Sequence, residues 1–323
     1  MVQENIHVLT EYEEKEQWEG ELRHLWRTCF HDPIHYENFY FDTVYPKNKV
    51  YVLEDKGMIH LNYYRCKVMG HELSLPYIVG VATNEKYRRQ GVMRNLLEAV
   101  LADLYQQKLP FTYLMPANEE YYTPFGFRSV SPKSELELLM KDIDYTNHFQ
   151  YLSYEEIKKL SPKVQSQLRE EVNKWLEQRY DVYAVHDEVY YDLLYAEKTC
   201  QGGDVVFCFD GIVDVNHLYG MFAYAMDGNT PYVEQVILKE QISQGVAMLT
   251  EMFGLFFTEY DRVRIVQSYP YMLRIIDKES FVTLFQDKLS AICTLPIADI
   301  MTSKEMMQYL FEEKGNIYFA EIV

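Results

Sequence analysis

Residues 81–101 read VATNEKYRRQGVMRNLLEAVL: a β-branched run, a basic corner holding one glycine, and an apolar repeat. Val92, Leu96, Leu97, Val100, Leu101 and Leu104 recur at spacings of three and four, which predicts a helix reaching Gln107. The preceding PYIVGVATNE is rich in β-branched residues and predicts a strand. A strand that feeds a glycine-containing loop opening a helix makes an anion site from backbone geometry. The first helical turn presents unpaired N–H groups, the helix dipole adds positive partial charge, and glycine lets a ligand come close. Arg88, Arg89 and Arg94 add full charges suited to phosphate oxygens, so the expected ligand carries a pyrophosphate. A Walker loop needs G-x-x-x-x-G-K-[ST], which is absent, and a dinucleotide fingerprint needs three glycines where this loop has one.

This basic corner stands in an acidic chain. Against 31 Lys+Arg there are 49 Asp+Glu, a formal charge of −18, which opposes a nucleic-acid partner and draws in small cationic molecules. At 323 residues the chain is long for one core and suggests two domains. It has no apolar run of the roughly 20 residues that span a bilayer. Its start, MVQENIHVLTEYEEKEQWEG, lacks a basic region followed by an apolar one, so a cytoplasmic protein with no membrane partner is expected. The five cysteines are scattered and never form Cys-x-x-Cys, which indicates neither a disulfide framework nor a metal site; buried thiols are expected. The 29 tyrosines suit pockets with an apolar wall and a polar tip, although packing is the favoured reading for any one of them.

Outward from the corner, Trp18, Leu22, Leu25, Trp26 and Cys29 mark an amphipathic helix over 12–30 that HDP ends. Hairpin turns are expected at Asp55-Lys56-Gly57 and Met69-Gly70-His71. LPFTYLMP predicts a buried strand and ANEEYYTPFGFRSV a turn or short helix. The segment from Val205 retraces the one from Val50: Pro76 matches Pro231, and Gln90-Gly91-Val92 matches Gln244-Gly245-Val246, at an offset of about 155. The second copy reads EQISQGVA where the first reads YRRQGVMR, keeping the glycine and losing every arginine. A merely solvated basic face has no reason to be confined to one copy, so the anion site is expected once. The last 50 or so residues read as helix, strand, helix and strand, too short for a core of their own.

Residues 81–101 resemble the coenzyme A motif of the GNAT acetyltransferase superfamily, R/Q-x-x-G-x-G/A at the start of a helix. Arg89 and Gly91 are matched to it, and Met93 replaces the usual small residue. The whole chain is similar, more narrowly, to the enhanced-intracellular-survival (Eis) family of aminoglycoside or amine N-acetyltransferases. Those proteins join a GNAT domain, a degenerate second GNAT domain and a sterol-carrier-like domain, the last much longer than its counterpart here. The resemblance implies an α/β (α+β) fold of tandem GNAT units with mixed, largely antiparallel sheets. It places a catalytic domain at 1–145, a degenerate copy at 146–272 and a shortened C-terminal element at 273–323.

It further implies acetyl-CoA as co-substrate and a small cationic amine as acceptor, without metal or nucleic acid, in a chain that forms homo-oligomers as the family does. Main-chain contacts to the pantetheine arm fall on Val81, Ala82 and Thr83, and the pyrophosphate cradle on Arg89, Gln90, Gly91, Val92, Met93 and Arg94. Ala117 and Asn118 match further coenzyme contacts, and Tyr122, four residues before Gly126, matches the general acid, with Tyr121 the competing candidate. A phenol with pKa near 10 can protonate a departing thiolate. The base is implied to be the terminal carboxylate of Val323, with Asp32 and Glu321 on the acceptor side. The alternative readings are a silent CoA-binding sensor, a purely structural duplicated protein, and a transfer-RNA-dependent aminoacyltransferase, the last opposed by the −18 charge.

Overall fold

A computed structural model describes residues 5–140, 149–239, 249, 252–254, 256–291, 301–312 and 317–320. The chain divides into two compact units, one built around Met1–Pro132 with Pro270–Ile317, the other around Lys133–Tyr269. In chain order the first unit supplies β1 (His7–Leu9), α1 (Tyr12–Phe30), α2 (Ile34–Phe39), β2 (Lys49–Leu53), β3 (Gly57–Val68) and β4 (His71–Thr83). It continues with α3 (Val92–Gln106), β5 (Phe111–Leu114) and β6 (Arg128–Ser129). The second unit supplies β7 (Ser134–Leu139), β8 (Phe149–Ser153), α4 (Tyr154–Ile157), α5 (Pro162–Arg179), β9 (Val182–Ala184), α6 (Glu188–Cys200), β10 (Asp204–Asp210), β11 (Leu218–Asp227), β12 (Thr230–Leu238) and β13 (Arg262–Ser268). The chain then returns to the first unit as β14 (Met272–Ile275) and α7 (Lys278–Leu284).

The first sheet runs β1-β2-β3-β4-β5-β14-β6. Along this path the pairs are antiparallel except β4 with β5, which α3 links as a crossover, since parallel neighbours need one. The apolar face of α3, Val92, Leu96, Leu97, Val100, Leu101 and Leu104, is buried in one cluster with Leu53, Ile59, Leu61, Ile78 and Leu114 of the sheet. Both predicted hairpin turns form, the second through Met69 (φ 49°) and Gly70 (φ 80°) in the left-handed region that such tight turns require. The C-terminal stretch opens on a strand rather than a helix. Met272–Ile275 fills a slot between β5 and β6 and satisfies the ladder on both sides.

The second sheet, β7-β13-β12-β11-β10-β8, repeats the plan. Val50 of β2 has its counterpart Val205 in β10, and Pro76 of β4 has Pro231 in β12. As β4 runs parallel to β5, so β12 runs parallel to β13. The outer neighbours are exchanged in sequence: β7 precedes the second unit's other strands yet pairs with β13, and β14 follows them yet pairs with β5. Each sheet has a bulge next to its parallel pair, at Gly80 in β4 and at Glu234 in β12. The matched Gln244-Gly245-Val246 lies outside the described residues.

The bulge in β12 carries a charge. Glu234 and Glu197 both bind the Lys198 ammonium, which is 1% exposed; the Glu197 bond is 2.8 Å. Of the cysteines, Cys66 and Cys208 are buried but Cys29 and Cys200 are half-buried, because each sits near the C-terminus of an amphipathic helix. Cys293 lies outside the described residues. Among the described residues no helix is long and apolar enough to cross a membrane.

Candidate active site

The site begins where β4 parts from β5. Only Tyr77 with Tyr113 and Ile78 with Leu114 are paired between them. Past the bulge, Ala82 and Thr83 stay with Met58 and Gly57 of β3, so β4 leaves an open edge toward β5. An open edge is a template for an extended ligand, whose own amides complete the ladder. Gly80 makes this possible in two ways. Its φ of 60° is left-handed, and a Cβ there would lie 3.0 Å from Trp26 Cζ3 and 3.3 Å from the His60 ring.

Beneath the bulge lies a buried polar knot. His60 Nδ1 is 2.9 Å from the Tyr40 hydroxyl, Asn48 Nδ2 donates to that hydroxyl at 3.0 Å, and burial drives the His60 pKa down to about 3. The imidazole is therefore neutral at physiological pH. Trp26, whose ring presses on Gly80, donates its indole N–H to Asp32 Oδ2 at 2.9 Å. Asp32 is thus half-buried on the α1–α2 loop, one side chain away from the bulge.

After Thr83 the chain makes one 3₁₀ turn, Glu85–Tyr87, capped by the Asn84 side chain, which accepts from Lys86 N at 3.2 Å. Arg88 is extended, Arg89 turns left-handed at φ 63°, and Gly91 at φ 89° opens α3. No side chain caps α3, and its first hydrogen bond is Asn95 N–H to Gly91 O at 2.9 Å. The N–H groups of its first turn are thereby offered outward under the exposed Arg88, Arg89, Gln90 and Arg94. Counted back from Gly91, the first position of R/Q-x-x-G falls on Arg88, not on Arg89. Val92 is buried, and Met93 packs against the same apolar cluster, so its bulk is turned to the core. Val81 packs there too.

Beyond β5, Ala117 and Asn118 are exposed, and the Asn118 side chain caps the Glu119–Tyr121 turn by accepting from Glu120 N at 2.9 Å. Tyr121 is 58% exposed. Tyr122 is 7% exposed, shares the α3 cluster and meets Phe127 edge-on with ring centres 6.0 Å apart. Burial, with a smaller contribution from Tyr121, pushes the Tyr122 phenol up to about 12. It holds its proton throughout the neutral range. Glu321 and Val323 lie outside the described residues.

Gly80 does carry a sequence signal, since a glycine inside the β-branched run YIVGVAT marks a bulge. The Tyr40–Asn48–His60 knot has no local signal in the sequence, because those residues meet only once β3 packs against the chain that follows α2.

The acetyltransferase (GNAT) domain family matches residues 12–130. A probable N-acyltransferase from Enterococcus faecalis has a similar solved structure, with TM-score 0.65 and 14% identity, covering 86% of this chain and 74% of that one. A GCN5-related N-acetyltransferase from Anabaena variabilis aligns with TM-score 0.63 and 15% identity over 84% and 73% of the two chains. Eis1 from Mycobacterium abscessus aligns with TM-score 0.56 and 11% identity over 87% and 75%. At these identities the likeness is one of fold. No curated protein matches the chain.

Proposed function

From the GNAT acetyltransferase domain at residues 12–130 we infer that this acyltransferase moves the acetyl group of acetyl-CoA to a primary amine of a small cationic acceptor. The observation that carries the reading is the open edge of β4, which ends under an uncapped, arginine-bearing helix start. Val81, Ala82 and Thr83 offer that edge to the amide-containing pantetheine arm. Gly91, Val92, Met93 and Arg94 aim backbone N–H groups at the pyrophosphate, with Arg88 and Arg89 supplying charge.

Transfer is direct within a ternary complex. The amine nitrogen bonds to the carbonyl carbon, the C–S bond breaks, and Tyr122 gives its phenolic proton to the departing sulfur. The proton leaving the amine goes to a base, which the family resemblance assigns to the Val323 carboxylate. Asp32, held by Trp26 beside the bulge, is a negative group suited to a cationic acceptor, and the charge of −18 favours its approach.

A thiol-release assay with acetyl-CoA over aminoglycosides, polyamines and lysine peptides tests this. Release that requires one of these amines is expected, with a chain lacking Val323 slower than the full chain. Tight binding of acetyl-CoA with no release by any amine contradicts transfer and identifies a coenzyme sensor.

A further inference from the structure

A cavity of about 600 Å³ runs along the flank of α3, lined among others by Arg94, Glu98, Tyr105, Phe125 and Arg274. That volume is in the range of pockets that enclose a small organic ligand. The cavity starts at the basic corner, since Arg94 belongs to the first turn of α3 and its guanidinium lies 5.2 Å from the centre of the Phe125 ring. It ends three turns on, at Tyr105. Arg274 enters from β14, opposite Thr112 of β5, and donates Nη1–H to Phe125 O.

The two cations differ. Arg94 is exposed and shared with Glu98 at 3.5 Å, an arrangement worth little in water. Arg274 is half-buried, and among the described residues no carboxylate pairs with it. Burial alone lowers its pKa from the usual arginine value, yet a guanidinium stays charged at any physiological pH. A partly desolvated guanidinium without a carboxylate partner in a cavity wall is stabilised by an anion, and its fork of donors matches phosphate. The Phe125 and Tyr105 rings in the same wall suit a planar base.

We propose that this cavity holds the phosphorylated nucleoside end of the coenzyme, with Arg274 pairing its 3′-phosphate and thereby setting a preference for the 3′-phosphorylated form. The proposal rests on the acetyl-CoA reading. It extends it by giving β14, a strand from beyond the second unit's sequence, a role in coenzyme choice.

Calorimetric titration of the full chain and of Arg274→Met with CoA, 3′-dephospho-CoA and adenosine 3′,5′-bisphosphate tests it. The wild type is expected to bind CoA about ten-fold or more tightly than 3′-dephospho-CoA, as one charged hydrogen-bonding pair allows. Arg274→Met should bind both alike, near the wild type's affinity for 3′-dephospho-CoA, and Arg274→Lys should keep part of the preference. An equal ratio in wild type and Arg274→Met overturns the proposal, as does a wild type without preference. If Arg274→Met does not fold, Arg274→Lys with the wild type's full ratio overturns it. Bisphosphate binding that needs Arg274 in a chain that binds neither coenzyme also overturns it, leaving a separate nucleotide site. No binding of any of the three sinks the acetyl-CoA reading itself.

Discussion

Tyr122→Phe should lower kcat by about 10²–10³-fold while leaving the affinity for acetyl-CoA within about two-fold, since a positioned general acid contributes 10²–10⁴. The substitution removes one oxygen from a ring that otherwise keeps its place against Phe127 and α3, so a loss of activity reports the proton and not the packing. The raised pKa, about 12, fixes the pH dependence. An acid is competent below its own pKa, so from pH 6 to pH 10 Tyr122 stays protonated and imposes no alkaline limb. Over that window the rate should rise with pH as the acceptor amine loses its proton. Tyr121→Phe, at an exposed position, should change kcat by less than about three-fold. Steady-state kinetics of the two variants decide between the phenols: equal losses, or a larger one at Tyr121, would move the acid to Tyr121.

Lys198→Met should destabilise the second unit by about 3–5 kcal/mol, the cost of leaving a buried charge without its partner. Glu197 and Glu234 meet the Lys198 ammonium inside the protein, and each carboxylate is close to fully buried. Without the ammonium two carboxylates face each other in a low dielectric, where one must take up a proton or the segment must open. A variant that also carries Glu197→Gln and Glu234→Gln should recover most of the loss, because neutral amides carry no such penalty. Urea unfolding of both variants checks this. A loss under about 1 kcal/mol in Lys198→Met would mean that water reaches the cluster.

Much of the fold was legible because its signals are local. The three-and-four repeat from Val92 to Leu104 gave α3, and Gly70 after Met69 gave the long hairpin. The basic corner was legible for the same reason, since strand, glycine and helix adjoin in the chain. What the sequence hid depends on distant segments meeting. Strand β14 forms between β5 and β6, more than a hundred residues away in sequence, and with it Arg274 arrives beside Phe125. The repeat announced two copies, but the charged bulge at Glu234 becomes meaningful only once Lys198 of α6 is seen against it.

That contrast bears on how many sites a chain has. In the first unit the bulge is a glycine beside an open strand edge and three arginines; in the second it is a carboxylate bound to a buried lysine. A single acetyl-CoA site per chain, at the basic corner, can be counted by calorimetric titration with acetyl-CoA. The expected stoichiometry is one per chain, with an affinity at least about ten-fold weaker in a variant with Arg88→Ala and Arg89→Ala together. Two sites per chain, or one site whose affinity is unchanged in that variant, would contradict it.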